Sequence, residues 1–261
     1  MTHKCRSALL SNTIRVLLVG AGGTGSLLAT DLARLNLALE ELGHIGGMKV
    51  TIIDGDTVST SNVGRQSFYP CDVGLPKADV VVGRINACYG FNWRAISEPL
   101  TKAGAGDYDV VISCVDSAAA RRTIQESFAK SCPLYWLDMG NKAYVGQCVL
   151  GEPKPARAVD WTMRLPTVTE LYPSLMDPSI PEDDAPSCSL AEALQKQGLY
   201  INRAMAIHGL QMLEQLIRKG SIEYSAVFVD LDRARTTSLP INKDTWAAMG
   251  YVSSGTAKRP A

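Results

Sequence analysis

The sequence predicts an α/β fold: a mostly parallel sheet with helices on both faces and a small C-terminal α/β extension. Three observations carry this expectation. Short apolar runs, IRVLLV at 14–19, MKVTIID at 48–54 and YDVVISCVD at 108–116, alternate with stretches of helical spacing. Such runs suit buried parallel strands, and their alternation with helices suits a sheet covered on both sides. The loop Gly20-Ala21-Gly22-Gly23-Thr24-Gly25 lies between the first run and the first helical stretch. The second and third runs end in Asp54 and Asp116, at the edge where an open parallel sheet binds its ligand. Together these predict a Rossmann-like arrangement.

Each element follows in order. After the first strand, SLLATDLARLNLALEEL places Leu27, Leu28, Leu32, Leu35, Leu39 and Leu42 at helical spacing. GHIGG turns the chain into the second strand. A helix is predicted at 76–90, with Pro76 suited to its first turn. Strands are expected at 92–98 and 108–116, a helix at 117–131, and strands at 134–140 and 145–151. Residues 151–187 hold seven of the thirteen prolines and little periodicity, so they read as a long loop. Helices are expected at 189–197 and 199–219, with Gly220 as a cap, and a last strand at 225–232. The tail VSSGTAKRPA reads as frayed. We read 1–261 as one domain with a nucleotide-binding core at 14–150, the long loop at 151–187, and C-terminal helices and strand at 188–261.

Composition excludes several function classes. The 26 basic and 26 acidic residues cancel, which argues against a protein that coats nucleic acid. The 46% hydrophobic and 20% charged content is that of a globular chain. The seven cysteines, at 5, 71, 88, 114, 132, 148 and 188, are odd in number and form no C-x-x-C pair. A disulfide framework and a zinc site therefore both lack support, and no zinc is expected. No apolar run approaches the ~20 residues of a membrane span, and the N-terminus has no apolar core long enough for a signal peptide. A cytoplasmic, soluble protein that binds neither membrane nor nucleic acid is expected.

The glycine loop has the form G-x-G-x-x-G, which lets backbone N–H groups approach a phosphate at the positive end of a helix. Asp54 suits the ribose hydroxyls; it lies 29 residues past Gly25, and the excess over the usual spacing falls in an insertion at 36–47. A strand-to-helix turn with no ligand is the alternative. The loop alone does not separate NAD from ATP. The next segment, DGDTVSTSNVGRQ from Asp54 to Gln66, favours a triphosphate. Carboxylates suit ribose or magnesium, arginine suits phosphate oxygens, and Lys77 adds a point charge. Taken singly, Asp56 could cap a turn, Lys77 could be a surface lysine, and Asp116 could cap helix 117–131.

The order VGAGGTG, DGDTVSTSNVGRQ, GLPK and SCVDSAAAR resembles the ubiquitin-activating-like ThiF/MoeB/HesA adenylyltransferase superfamily. It is most similar to the ThiF-family proteins of bacterial PRTRC gene systems. The likeness covers roughly 14–150 and continues more weakly to 219. It implies that Gly20, Gly22, Gly23, Thr24 and Gly25 form the nucleotide loop and that Asp54 binds ribose. Asp56, Asn62, Arg65 and Gln66 would surround the phosphates, Lys77 would help hold the triphosphate, and Asp116 would hold magnesium. The implied reaction is attack of the C-terminal carboxylate of a small ubiquitin-like protein, ending in glycines, on the α-phosphate of ATP. Arg65, Lys77 and magnesium on Asp116 would carry catalysis, without a general base, because the carboxylate is already ionised at pH 7. A homodimer and a conjugating-enzyme-like acceptor are further implied partners.

The chain departs from that pattern in places. Ser117 replaces the usual Asn after the aspartate. Many relatives hold zinc with two C-x-x-C pairs, and relatives have an arginine-rich arm that reaches the partner subunit's site; here only Arg6 and Arg15 precede the loop. Cys188, before a predicted helix, matches a region where some relatives form a covalent thioester or acyl disulfide, and an ordinary loop cysteine is its alternative. Cys114 and Cys132 read as buried, and His208 as a packed core histidine. Two rivals remain: a nicotinamide-dependent oxidoreductase, which leaves Arg65, Lys77 and Asp116 unexplained, and a nucleotide-binding scaffold without catalysis.

Overall fold

A computed structural model describes residues 1–100, 107–129, 132–153, 164–179 and 197–251. Its elements are β1 (His3–Lys4), α1 (Ser7–Ser11), β2 (Ile14–Val19), α2 (Gly23–Glu41), β3 (Met48–Ile53), α3 (Lys77–Tyr89), β4 (Arg94–Ile96), β5 (Val110–Ser113) and α4 (Ala118–Ser127). They continue as β6 (Tyr135–Asn141), β7 (Val145–Gly151), α5 (Val168–Leu171), α6 (Ile201–Arg218), β8 (Ser221–Ile222), β9 (Tyr224–Asp230), β10 (Arg235–Pro240) and α7 (Lys243–Ala248).

Eight strands form one sheet in the order β10-β9-β7-β6-β5-β2-β3-β4, while β1 and β8 make a separate two-stranded ribbon. From β4 to β6 every pairing is parallel. From β6 to β10 every pairing is antiparallel. The chain leaves β2 towards β3 on one side and later returns to place β5 on its other side. That reversal opens a crevice at the carboxyl ends of β2 and β5.

The helices follow from their apolar stripes. Leu28, Leu32, Leu35 and Leu39 recur at helical spacing on α2 and are buried. Leu42, at the end of the same sequence stripe, caps the helix and is exposed. Helix α2 packs on α6 and α3, and α6 covers β6, β7 and β9. Helix α4 connects β5 to β6 in the opposite direction across the sheet, so right-handed crossover puts it on the other face, where it packs on a 3-10 turn at Pro173–Met176.

Several expectations shift. The helix predicted at 117–131 runs from Ala118 to Ser127; the Ser117 hydroxyl caps its start by accepting the Ala120 N–H at 3.1 Å, and Phe128 is its C-cap. The insertion at 36–47 lengthens α2, and Asn36 on that helix accepts the Met48 N–H at 2.5 Å, which anchors β3. Within the predicted long loop, Leu165, Val168 and Leu171 are buried, and α5 is held by a capping box of Thr167 and Glu170. Strand β10 was not expected, since RTTSLP has no apolar alternation; it is an exposed edge held by its ladder to β9. The helix predicted at 189–197 falls, except for Gln197, outside the described residues, as do Cys188 and the tail from 252 onward. No helix among the described residues is long and apolar enough to cross a membrane.

A buried polar knot fixes the carboxyl end of β5. Asp138, fully buried on β6, accepts from Ser113 Oγ at 2.6 Å and from Arg121 Nε at 3.0 Å. Trp136 Nε1 donates to Ser113 Oγ at 2.7 Å. Arg121 Nη2 donates to the Val115 carbonyl at 2.8 Å, bracing the loop that carries Asp116. Removing one member of a buried ion pair leaves the other charge unpaired. Asp138→Ala is therefore expected to lower stability by about 3–5 kcal/mol in urea denaturation, and a loss below about 1 kcal/mol would contradict the knot's role.

Candidate nucleotide site

The crevice holds a cavity of about 410 Å³. Two glycines make it possible. Gly20 has φ +91°, and a Cβ there would meet the Cys114 carbonyl oxygen at 2.7 Å. A Cβ on Gly25 would stand 1.8 Å from the Gly20 carbonyl oxygen. The loop thus closes on itself and on the end of β5 only without side chains. Nothing lies within 4 Å of the Cβ position on Gly22, so backbone is open to the cavity there. Helix α2 begins at Gly23, and its Gly22 cap uses no side chain, which leaves first-turn N–H groups free to meet an anion.

Three carboxylates and two cations among the described residues line the cavity: Asp54, Asp56 and Asp116 against Arg65 and Lys77. Asp54 accepts the Ala21 N–H at 2.6 Å and the Asp56 N–H at 2.8 Å. Burial pushes its carboxyl above the ordinary range, against the pull of those two N–H groups and of Lys77. The buried Lys77 places Nζ 2.7 Å from Asp56 Oδ2. Arg65 Nη1 donates to Gln197 Oε1 at 2.7 Å. Burial lowers the Arg65 pKa, with the charge of Asp116 acting in the other direction. Arg65 Nε and Gln66 Oε1 are buried and unpartnered among the described residues, an arrangement that suits a missing polar ligand.

Of the residues singled out in the sequence, Gly20, Gly22, Gly23, Thr24, Asp54, Asp56, Arg65, Gln66, Lys77 and Asp116 meet at this cavity. Gly25 shapes the loop from behind. Asn62 does not line the cavity; its Oδ1 accepts the Ser59 N–H at 2.9 Å and closes the turn at Thr60–Asn62. Arg6 and Arg15 sit at the opposite edge of the sheet, where Arg6 pairs with the buried Glu152 and Arg15 with Asp109. Cys114 lines the cavity wall, and burial holds its thiol well above the usual range. Cys132 is pushed up to about 11. His208 is partly buried, which lowers its pKa.

Asn141, Gln197 and Asn202 also line the cavity and were not read from the sequence as site residues. Two had a legible signal. Asn141 ends β6 at the same sheet edge as Asp54 and Asp116, and Asn202 is a polar residue on the buried face of α6. A second depression, about 800 Å³, adjoins the cavity and shares Asp116 and Asn141 with it. Its floor is the open face of the antiparallel strands, with Gln147, Phe228 and Thr237 in register.

The sequence matches the ThiF family over residues 7–245. The chain belongs to the ThiF family. Among curated relatives, the Yarrowia lipolytica adenylyltransferase and sulfurtransferase UBA4 is 34% identical over 118 residues, covering 43% of this ThiF-family chain and 27% of the relative. The Schizosaccharomyces pombe NEDD8-activating enzyme E1 catalytic subunit is 28% identical over 187 residues, 68% of this chain and 37% of the relative. The chain thus spans well under half the length of either. Escherichia coli MccB shares the fold at TM-score 0.59 and 15% identity, with 89% of this chain and 63% of that one covered. PaaA does so at TM-score 0.57 and 17% identity, with 87% and 64% covered.

The wall of this ThiF-family cavity makes one chemical expectation. Thiol reactivity follows thiolate access, so native-state alkylation mapped by mass spectrometry should modify the exposed Cys71 and Cys88 at least about tenfold faster than Cys114 and Cys148. Equal rates for Cys114 would mean that the cavity wall is open.

Proposed function

We propose that this chain adenylates the C-terminal carboxylate of a small ubiquitin-like protein, using ATP and magnesium. The observation that carries the reading is the single cavity: the glycine loop, Asp54, Asp56, Arg65, Gln66, Lys77 and Asp116 gather there, beside a second depression that shares Asp116. The names of two relatives, an adenylyltransferase and sulfurtransferase and a NEDD8-activating enzyme catalytic subunit, support it. A nicotinamide enzyme would leave Arg65, Lys77 and Asp116 at one cavity unexplained.

The residues fit a nucleotide. Gly22 exposes backbone for a phosphate, Asp54 lies at the ribose end, and Arg65 keeps an unpaired buried N–H. Among the described residues no group of three or more His, Cys, Asp or Glu could hold a metal ion alone. Magnesium is ordinarily held by one or two carboxylates with phosphate oxygens completing its shell, and Asp116 is the carboxylate placed for that role. When bound, magnesium supplies charge neutralisation on the phosphates.

The chemistry joins two anions, so positioning and positive charge dominate. The adjoining depression would lay the extended glycine tail along Gln147, Phe228 and Thr237, with its carboxylate arriving beside Asp116. Arg65 and Lys77 would draw negative charge off the phosphates as the carboxylate oxygen bonds to the α-phosphorus. The bond from that phosphorus to the oxygen bridging to the β-phosphate breaks, giving acyl-adenylate and pyrophosphate. The Cys188 thiol is then the proposed acceptor: its sulfur bonds to the acyl carbon, the acyl–phosphate bond breaks, AMP and the thiol proton leave, and a conjugating-enzyme-like protein lies beyond it. The likeness to PRTRC proteins points to a ubiquitin-like partner encoded nearby, and a homodimer is the proposed assembly. No zinc has a role in this scheme.

Calorimetry is expected to show magnesium-ATP binding without competition from NAD; tighter binding of NAD would overturn the reading. In ATP–pyrophosphate exchange with the partner, Asp116→Ala should lose on the order of a hundredfold, as loss of a charge-stabilising contact does. Cys188→Ala should leave exchange near wild type while removing a thiol-sensitive conjugate. Exchange within about twofold of wild type in Asp116→Ala would reduce Asp116 to a loop residue.

A further inference from the structure

We propose that Gln197 is a positioning residue that holds Arg65 in place while leaving its charge free for the phosphates. The proposal rests on reading the cavity as a nucleotide site. The Arg65 guanidinium can only donate, and Nη1 donates to Gln197 Oε1 at 2.7 Å. The same Oε1 accepts from Asn202 Nδ2 at 3.0 Å. Asn202 Oδ1 in turn accepts from Thr24 Oγ1 at 3.0 Å and Asn141 Nδ2 at 3.3 Å. Four side chains from the glycine loop, the end of β6, the start of α6 and the segment before it therefore form one connected amide and hydroxyl network ending on Arg65.

Every member of that network except Arg65 is neutral. Three other arginines of the molecule are treated differently, each set against a carboxylate. Arg84 holds Asp72, Arg121 holds Asp138 and Arg164 holds Glu170. A guanidinium paired with a carboxylate is already compensated, and a phosphate must displace that partner. A neutral acceptor fixes direction without cancelling charge. Arg65 Nε, buried and unpartnered among the described residues, is a second donor left available.

The network is also closely packed. A Cβ on Gly23 would stand 2.6 Å from Asn202 Nδ2, so the Asn202 amide already lies hard against the first residue of α2. It is pinned between the glycine loop and Gln197. The phosphate-binding loop and the phosphate-binding arginine are thereby held in fixed relation through the C-terminal half of the chain. An acid at 197 would keep the geometry but turn the Arg65 contact into an ion pair.

The test measures displacement of a fluorescent ATP analogue from the full chain by magnesium-ATP and by adenosine, which lacks the groups Arg65 would bind. For Gln197→Glu, magnesium-ATP affinity should fall roughly tenfold or more while adenosine affinity stays within about twofold. Arg65→Ala should give the same split, and Gln197→Ala a smaller one. Equal loss for both ligands in Gln197→Glu would make Gln197 a packing residue and overturn the proposal. So would magnesium-ATP affinity within about twofold of wild type in that variant, where Arg65→Ala still shows the split. If the wild type binds neither ligand, the nucleotide reading itself fails and the proposal with it, a result distinct from either of the others.

Discussion

The structure depends on one close approach, where the carboxyl ends of β2 and β5 meet. Cβ atoms at Gly20 and Gly25 would collide with backbone oxygens at 2.7 and 1.8 Å. That contact sets where α2 starts and aims its N-terminus into the crevice. It also lets Ala21 reach Asp54 and tie down the end of β3. Behind it, the buried Asp138–Arg121–Ser113 knot holds the loop after β5, so Asp116 stands at the same edge. The position of each charged group in the cavity follows from strands and loops that have little freedom to move apart.

Electrostatics then decides what the cavity suits. Three carboxylates face two cations among the described lining residues. A triphosphate entering alone would meet net repulsion, and the two cations differ in readiness. Lys77 is compensated by Asp56, while Arg65 rests on the neutral Gln197. On the proposed reading Arg65 would meet the anion, and a divalent cation on Asp116, whose charge also acts on Arg65, would offset the excess negative charge.

The parallel half of the fold was legible because its strands are short apolar runs and its helices carry clear stripes. Ten of the residues singled out for the site meet at the cavity, because acids and glycines at strand ends leave a local mark in sequence. Other features leave none. Strand β10 is defined by a ladder to β9 rather than by its own pattern. Asn62 sits in a series of apparent ligands, yet its amide is used by the neighbouring Ser59 backbone. Gln197 is brought to Arg65 only by the packing of α6 on α2, from 132 residues away in sequence. Polar residues recruited by tertiary contact are invisible to spacing arguments. The polar residue on the buried face of α6, Asn202, was the nearest thing to a clue.

On the proposed reading the cavity is a phosphate site whose charge a divalent cation balances. The most direct measurement is ATP affinity by calorimetry with magnesium in excess and again with magnesium removed by chelator. Removal is expected to weaken ATP binding roughly tenfold or more, because Arg65 and Lys77 alone cannot offset three carboxylates and a triphosphate. Equal affinity in both conditions would contradict it, and would mean that Asp116 and the charge balance around it have no part in holding the nucleotide.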